Sequence, residues 1–147
     1  MLKTSGGALF ANGRARFLDE DSTAQEGTAK IFVKIEPADL GFSILAQLDT
    51  GSPWSILRSD VAAEIDFLDD LDQPITLHTR FGYIQGQLKR TTITILADDG
   101  DSLNIEATVF VSAQWQGGNF LGYSGLLERI RFAVAPEENT FYFGPCF

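Results

Sequence analysis

The sequence is poor in the residues that build most metal and redox sites. Cys146 is the only cysteine and His78 the only histidine in 147 residues. A lone cysteine excludes an intrachain disulfide and a thiolate cluster, and a lone histidine excludes multi-histidine zinc or iron centres. Cations are scarce as well: 11 Lys and Arg stand against 20 Asp and Glu, a formal charge of −9. Nucleic-acid binding rests on Lys and Arg neutralising phosphates, and no basic stripe offsets the deficit, so neither nucleic acid nor an anionic membrane is an expected partner. No apolar run approaches the ~20 residues of a membrane span, and residues 1–16 lack the apolar core of a secretion signal. The expected location is cytoplasmic.

What remains is enough for a folded domain. With 44% hydrophobic and 12% aromatic residues the chain is not disordered as a whole. A chain of this length buries roughly two thirds of the surface its unfolded form exposes, so it needs no covalent or metal staple.

Hydrophobic patterning predicts a mostly β class with one or two short helices. Asn12-Gly13 lies between two short apolar runs and predicts an N-terminal hairpin turn. Residues 19–27 are polar, acidic and aperiodic, and read as a loop. Residues 1–27 are therefore expected to form a hairpin-and-loop extension, and 28–147 the main domain. Within it, 28–35 and Phe42–Leu48 read as paired strands, and Asp60–Phe67 as a short helix capped by Ser59 or Asp60. Asp66, Asp69, Asp70 and Asp72 read as a solvated helix end and loop. Thr91–Leu96 and Leu103–Val111 read as strands joined by a turn at Ala97–Asp101. Gly125–Arg129 is expected to make a helical turn, and Ile130–Val134 and Thr140–Phe143 a closing hairpin through Pro136–Asn139.

The sharpest chemical signal is Leu45-Ala46-Gln47-Leu48-Asp49-Thr50-Gly51-Ser52-Pro53-Trp54-Ser55-Ile56-Leu57. An apolar strand delivers an acid into a Thr-Gly turn, and a second apolar run leaves it. A bare Asp-Thr-Gly is a common surface turn. Apolar flanks change that weighting, because a carboxylate between buried strands is costly unless hydrogen-bonded or functional.

This segment resembles the active-site loop of aspartic proteases. Their chemistry needs two carboxylates, one accepting a proton from water and one donating a proton to the scissile carbonyl. No second Asp-Thr-Gly or Asp-Ser-Gly occurs, so the resemblance is to the single-domain retropepsin-like proteases, in which two chains each contribute one acid. Phe120-Leu121-Gly122 is similar to the apolar-apolar-Gly motif that packs beneath the catalytic loop. Phe81-Gly82-Tyr83-Ile84-Gln85-Gly86 lies where those proteins carry a glycine-rich flap, a locally unstable hairpin that closes over substrate and excludes water. The resemblance spans about Ile31 to Gly144, and the ending through Phe141-Tyr142-Phe143-Gly144 looks like the bacterial members.

The resemblance implies an all-β acid-protease barrel acting as a homodimeric endopeptidase on peptide or protein substrates. Asp49 from each chain would activate the water, while Thr50 and Gly51 would brace the loop across the two-fold axis. Ser52 and Gly82, Tyr83, Ile84, Gln85 and Gly86 would contact substrate, and Phe120, Leu121 and Gly122 would support the loop. No metal and no organic cofactor is implied. The competing reading is a non-catalytic dimeric protein- or peptide-binding module of the same fold. Many retroviral members place an Asp two residues after the motif glycine, ion-paired with an Arg following the second motif. Here those positions are Pro53 and Tyr123, and because both charges are gone neither is orphaned. Ser52 matches the pepsin-like form of the motif, where its hydroxyl would donate to the outer oxygen of Asp49 and favour an acidic optimum.

Other candidates read as structure. His78 is expected to be solvated or hydrogen-bonded, and Gly122-Tyr123-Ser124-Gly125 is one residue short of a nucleophile elbow. Asp98-Asp99-Gly100-Asp101 lacks calcium-loop spacing. Trp54 and Trp115 are expected to pack, and Cys146 to be a free thiol.

Overall fold

The computed structural model describes residues 1–18 and 30–146. The expected loop over 19–27, and the first two residues of the strand expected from 28, lie outside the described residues. The strands in chain order are β1 (Leu2–Lys3), β2 (Leu9–Ala11), β3 (Gly13–Arg16), β4 (Phe32–Pro37), β5 (Ile44–Leu48) and β6 (Ser55–Ile56). After a single helical turn, α1 (Ser59–Ala62), come β7 (Asp69–Thr79), β8 (Gly82–Ile95), β9 (Asp99–Gly100) and β10 (Leu103–Val111). The chain ends with β11 (Phe120–Leu121), β12 (Ile130–Ala135) and β13 (Thr140–Pro145).

Six strands close on themselves in the order β10-β6-β11-β5-β4-β8, with β8 pairing back to β10. The fold is thus the expected all-β barrel with short helices. Val33, Ile35, Ala46, Ile93, Ile95, Ala107, Val109 and Leu121 fill it, and each is buried. Along β4, β5 and the end of β8 they alternate with exposed or half-exposed neighbours, the period-2 pattern that fixes which face is core, whereas β10 is buried on both faces from Ala107 to Phe110. A second sheet, β12-β13-β3-β9, brings Ala15, Phe17, Phe141 and Phe143 onto the same core. Strand β8 is long enough to do two jobs. Its C-terminal half belongs to the barrel, and its N-terminal half forms a projecting hairpin with β7.

Several expectations shift on contact with tertiary structure. Asn12-Gly13 is not a hairpin turn: β2 pairs with β1, whereas β3 pairs with β13 and β9. A Cβ on Gly13 would lie 2.3 Å from the Asp101 carbonyl oxygen and 2.6 Å from the Phe143 ring, so the glycine is required by close approach, not by turn geometry. The expected helix over Asp60–Phe67 shrinks to Ser59–Ala62. Neither expected cap residue acts as N-cap; that position is Arg58, with no side-chain cap bond. The Asp69–Asp72 region is strand, not loop. Asp69 and Asp70 stand in register with Arg90 and Lys89 across the ladder. Around Asp98–Asp101 the acids hold β3. The Asp98 carboxylate accepts the Arg16 N–H at 2.7 Å, Asp99 pairs with Arg14 at 2.8 Å, and Asp101 accepts from Asn12 Nδ2 at 3.2 Å.

Other expectations hold. Leu103–Val111 is β10, and the closing hairpin forms, with Asn139 in the left-handed region at φ 49°. Gly125–Arg129 contains a 3-10 turn at Leu127–Arg129. Cys146 is a free, exposed thiol. Among the described residues no helix is long and apolar enough to cross a membrane.

Candidate active site

Asp49 sits where β5 leaves the barrel. Its N–H donates to the Leu121 carbonyl at 3.0 Å, extending the parallel pairing of β5 with β11 by one residue. The chain then turns: the Ser52 N–H donates to the Asp49 carbonyl at 3.2 Å, and the Gly51 N–H donates to Asp49 Oδ1 at 3.1 Å. The carboxylate is half-buried, whereas Thr50 and Gly51 are exposed. A half-buried acid held by a backbone N–H and aimed out of a turn remains available to a reactant.

The segment after β11 laces this loop down. Tyr123 and Ser124 donate backbone N–H groups to the carbonyls of Ser52 and Pro53, at 2.9 and 2.8 Å. The Gly122 N–H donates to the Ser55 hydroxyl at 2.9 Å, and Ser55 is fully buried. A Cβ at Gly122 would lie 2.3 Å from the Trp54 carbonyl carbon, so only glycine fits there. Phe120, Leu121 and Gly122 thus lie directly under the acidic turn. Pro53 and Tyr123 are joined to this network through their backbones.

A cleft of about 600 Å³ opens over Asp49. Its floor comes from the outer face of β4 and β5, where alternation turns Phe32, Leu45 and Gln47 away from the barrel core. One wall is the projecting hairpin, represented by Leu77, His78, Thr79 and Arg80. The far end is closed by Trp115, Asn119 and Phe120.

The hairpin differs in detail from the expected flap. Thr79 pairs with Gly82, so the two-residue tip is Arg80-Phe81, with Gly82 at φ 99°. Gly82, Tyr83, Ile84, Gln85 and Gly86 form the returning strand, and the cleft is lined from the incoming strand. Tyr83 is largely exposed and stacks on His78, with ring centroids 4.6 Å apart. Ile84 is buried with Leu77, Leu88, Phe110 and Trp115 in a second apolar cluster under the hairpin. A Cβ on Gly86 would meet the Val111 carbonyl oxygen at 2.3 Å. The hairpin is also tied down by Gln85, whose N–H donates to Gln114 Oε1 at 2.9 Å and whose carbonyl accepts from the Ser112 hydroxyl at 2.5 Å. This segment therefore adds to the core, contrary to the expectation of a loosely held flap.

Ser52 lines the cleft, but its hydroxyl donates to the Trp54 carbonyl at 2.7 Å. A serine has one proton to donate. In this geometry it is not directed at the Asp49 carboxylate.

Two further residues shape the cleft: Asn119, which the sequence analysis did not single out, and Trp115, which packs as expected. Asn119 is buried beside the cleft. Its Oδ1 accepts the Arg58 N–H at 2.8 Å, its Nδ2 donates to the Leu45 carbonyl at 3.1 Å, and its own carbonyl accepts the Gln47 N–H at 2.8 Å. One side chain thus ties together three segments around the cleft. The second is Trp115, whose Nε1 donates to the Gly118 carbonyl at 2.9 Å and whose ring meets both Phe81 and Phe120 edge-on at 5.9 Å. It joins the hairpin tip to the cleft end. An Asn immediately preceding Phe120-Leu121-Gly122 was the one cue the sequence offered for Asn119.

No family model matches this chain, and no curated protein matches it. Among solved structures it is similar to the crystal structure of a retropepsin-like aspartic protease from Rickettsia conorii. The identity is 17% and the TM-score 0.48, over 90% of this chain and 93% of that one.

Proposed function

We propose that this chain is an aspartic endopeptidase whose active site forms when two copies bring their Asp49 carboxylates together. The observation that carries this reading is the Asp49-Thr50-Gly51 turn. It is braced from below by Phe120-Leu121-Gly122 and opens into a partly apolar cleft of about 600 Å³. One acid per chain cannot both accept and donate a proton in the same step. The exposure of Thr50 and Gly51 leaves this face of the turn available to a second copy.

In this mechanism one Asp49 is ionised and its mate is protonated. The ionised carboxylate takes a proton from a water as the water oxygen bonds to the scissile carbonyl carbon, and the protonated one gives its proton to the carbonyl oxygen. The gem-diol returns one hydroxyl proton to the carboxylate that gave its proton to the carbonyl oxygen, and as the C–N bond breaks the leaving amine takes the proton held by the other acid, the one that came from water. Both acids then stand as they began. Two carboxylates about 3 Å apart repel by roughly 5 kcal/mol at an effective dielectric near 20, so they share one proton over a pH window and the rate is bell-shaped in pH.

The test is peptide cleavage by the parent and by Asp49→Asn, each measured over a dilution series with sedimentation on the same samples. The expected results are loss of turnover in the variant with its fold retained, and a specific activity in the parent that falls as dimer dissociates. Cleavage by Asp49→Asn within threefold of the parent, or full activity in a sample that sediments as monomer, overturns the reading.

A further inference from the structure

The cleft above Asp49 differs in charge from the rest of this acidic molecule. Of 20 acids in the chain, Asp49 is the only one lining it among the described residues. Lys30, Arg58 and Arg80 line it too, along with His78. Among the described residues, a chain of charge −9 therefore lines this cleft with more cations than acids.

These cations are not equivalent. Arg58 is already engaged: its Nε and Nη2 donate to the two carboxylate oxygens of Asp60 at 3.1 and 2.8 Å. That pairing holds the Asp60 carboxyl below the usual carboxylate range, and Asp60 largely offsets the Arg58 charge. Lys30 and Arg80 have no ion-pair partner among the described residues. Arg80 is exposed at the hairpin tip, its guanidinium carbon 4.9 Å from the centroid of the Phe81 ring. Stacking on an aromatic ring restrains a guanidinium without consuming its N–H donors, which stay free for a carboxylate. Lys30 comes from a different element, two residues before β4.

We propose that this cleft selects polypeptides bearing an acidic side chain close to the apolar residues that span Asp49, with Arg80 as the main specificity residue and Lys30 as the second. The proposal deepens the endopeptidase reading by naming its substrate class, but the selection is a property of binding and is measurable without turnover. The rest of the acidic surface repels such a chain, so the cleft is the favoured place for it to dock. A partly exposed ion pair supports a preference of about fivefold for each carboxylate engaged, and salt screens it.

The experiment uses the full-length Asp49→Asn protein and fluorescein-labelled decapeptides with a central Phe-Leu pair. A single Glu, Gln or Lys is placed at each of the flanking positions in turn, and binding is read by fluorescence anisotropy. The expected result is that, at one position or more, the Glu peptide binds about fivefold tighter than the Gln peptide and the Lys peptide binds weakest. The preference shrinks in ~1 M salt, is mostly lost in Arg80→Gln, is partly kept in Arg80→Lys, and is abolished when Lys30→Gln is added to Arg80→Gln. Equal binding of Glu and Gln peptides at every position overturns the proposal. So does a preference that survives the double substitution, or no binding of any peptide. Cleavage of the Gln peptides by the Asp49-containing protein is assayed in parallel. Absence of cleavage alongside the charge preference counts against the endopeptidase reading and leaves the acidic selectivity standing.

Discussion

Replacing Gly122 with alanine tests whether the segment after β11 positions the acidic turn. The added methyl would sit 2.3 and 2.4 Å from the Trp54 carbonyl carbon and oxygen, and 2.7 Å from the Ser55 nitrogen. Non-bonded carbon contacts settle near 3.5–4.0 Å, so one strand must move by about 1 Å. All three neighbours are backbone atoms and cannot swing aside as a side chain would. Overpacking of this kind costs about 1–3 kcal/mol. Movement also weakens the Gly122 N–H bond to the buried Ser55 hydroxyl, a loss of about 1 kcal/mol. Together the expected destabilisation is about 2–4 kcal/mol. For a chain of this size that lowers Tm by roughly 6–12 °C. Gly118 supplies the control, because a Cβ there meets nothing within 4 Å. Gly118→Ala should change stability by less than about 0.5 kcal/mol. The assay is urea unfolding and thermal melting of both variants, with the Asp49-dependent activity measured well below the lower melting point. Gly122→Ala should lose activity while still folded, since the displaced backbone carries the 52–55 segment next to Asp49. Melting within 2 °C of the parent would refute the claim that this glycine is required by backbone contact.

Other outcomes follow from the same geometry. Ser52→Ala should cost about 1 kcal/mol from the lost bond to the Trp54 carbonyl while leaving the pH optimum in place, because that hydroxyl does not serve Asp49; a shift of the kcat/KM profile by one pH unit would contradict this. Ile84→Ala should destabilise by about 2–4 kcal/mol, whereas Phe81→Ala at the exposed tip should cost less than about 1 kcal/mol and act mainly on KM, as denaturation and steady-state kinetics can check. Asn119→Ala should cost about 2–3 kcal/mol by leaving the Arg58 N–H and the Leu45 carbonyl without their partner, and urea unfolding measures it directly.

Local chemistry made much of this protein legible from its residues. The β-branched and alternating runs mark β8 and β10, because a half-buried strand repeats every two residues wherever it lies. Asn139 at positive φ closes the last hairpin, since Asn tolerates that conformation better than most residues. The apolar runs on either side of Asp49-Thr50-Gly51 identify a turn set into the core, and Phe120-Leu121-Gly122 was recognisable as its support. Tertiary structure decided what these elements meet. Gly13 looked like half of a turn, yet it is spent on the approach of Phe143, which lies 130 residues away in the chain. That the incoming strand of the β7–β8 hairpin lines the cleft depends on where the whole hairpin lies against the barrel, which no local segment specifies. The proton of Ser52 goes to the acceptor best placed to receive it, and that is fixed by how the 52–55 segment lies on Gly122 and Tyr123. The cationic lining of the cleft is collected from residues 30, 58 and 80, which no local window contains. Periodicity and turn preference are properties of neighbours along the chain, whereas close approach, hydrogen-bond choice and charge convergence are properties of neighbours in space.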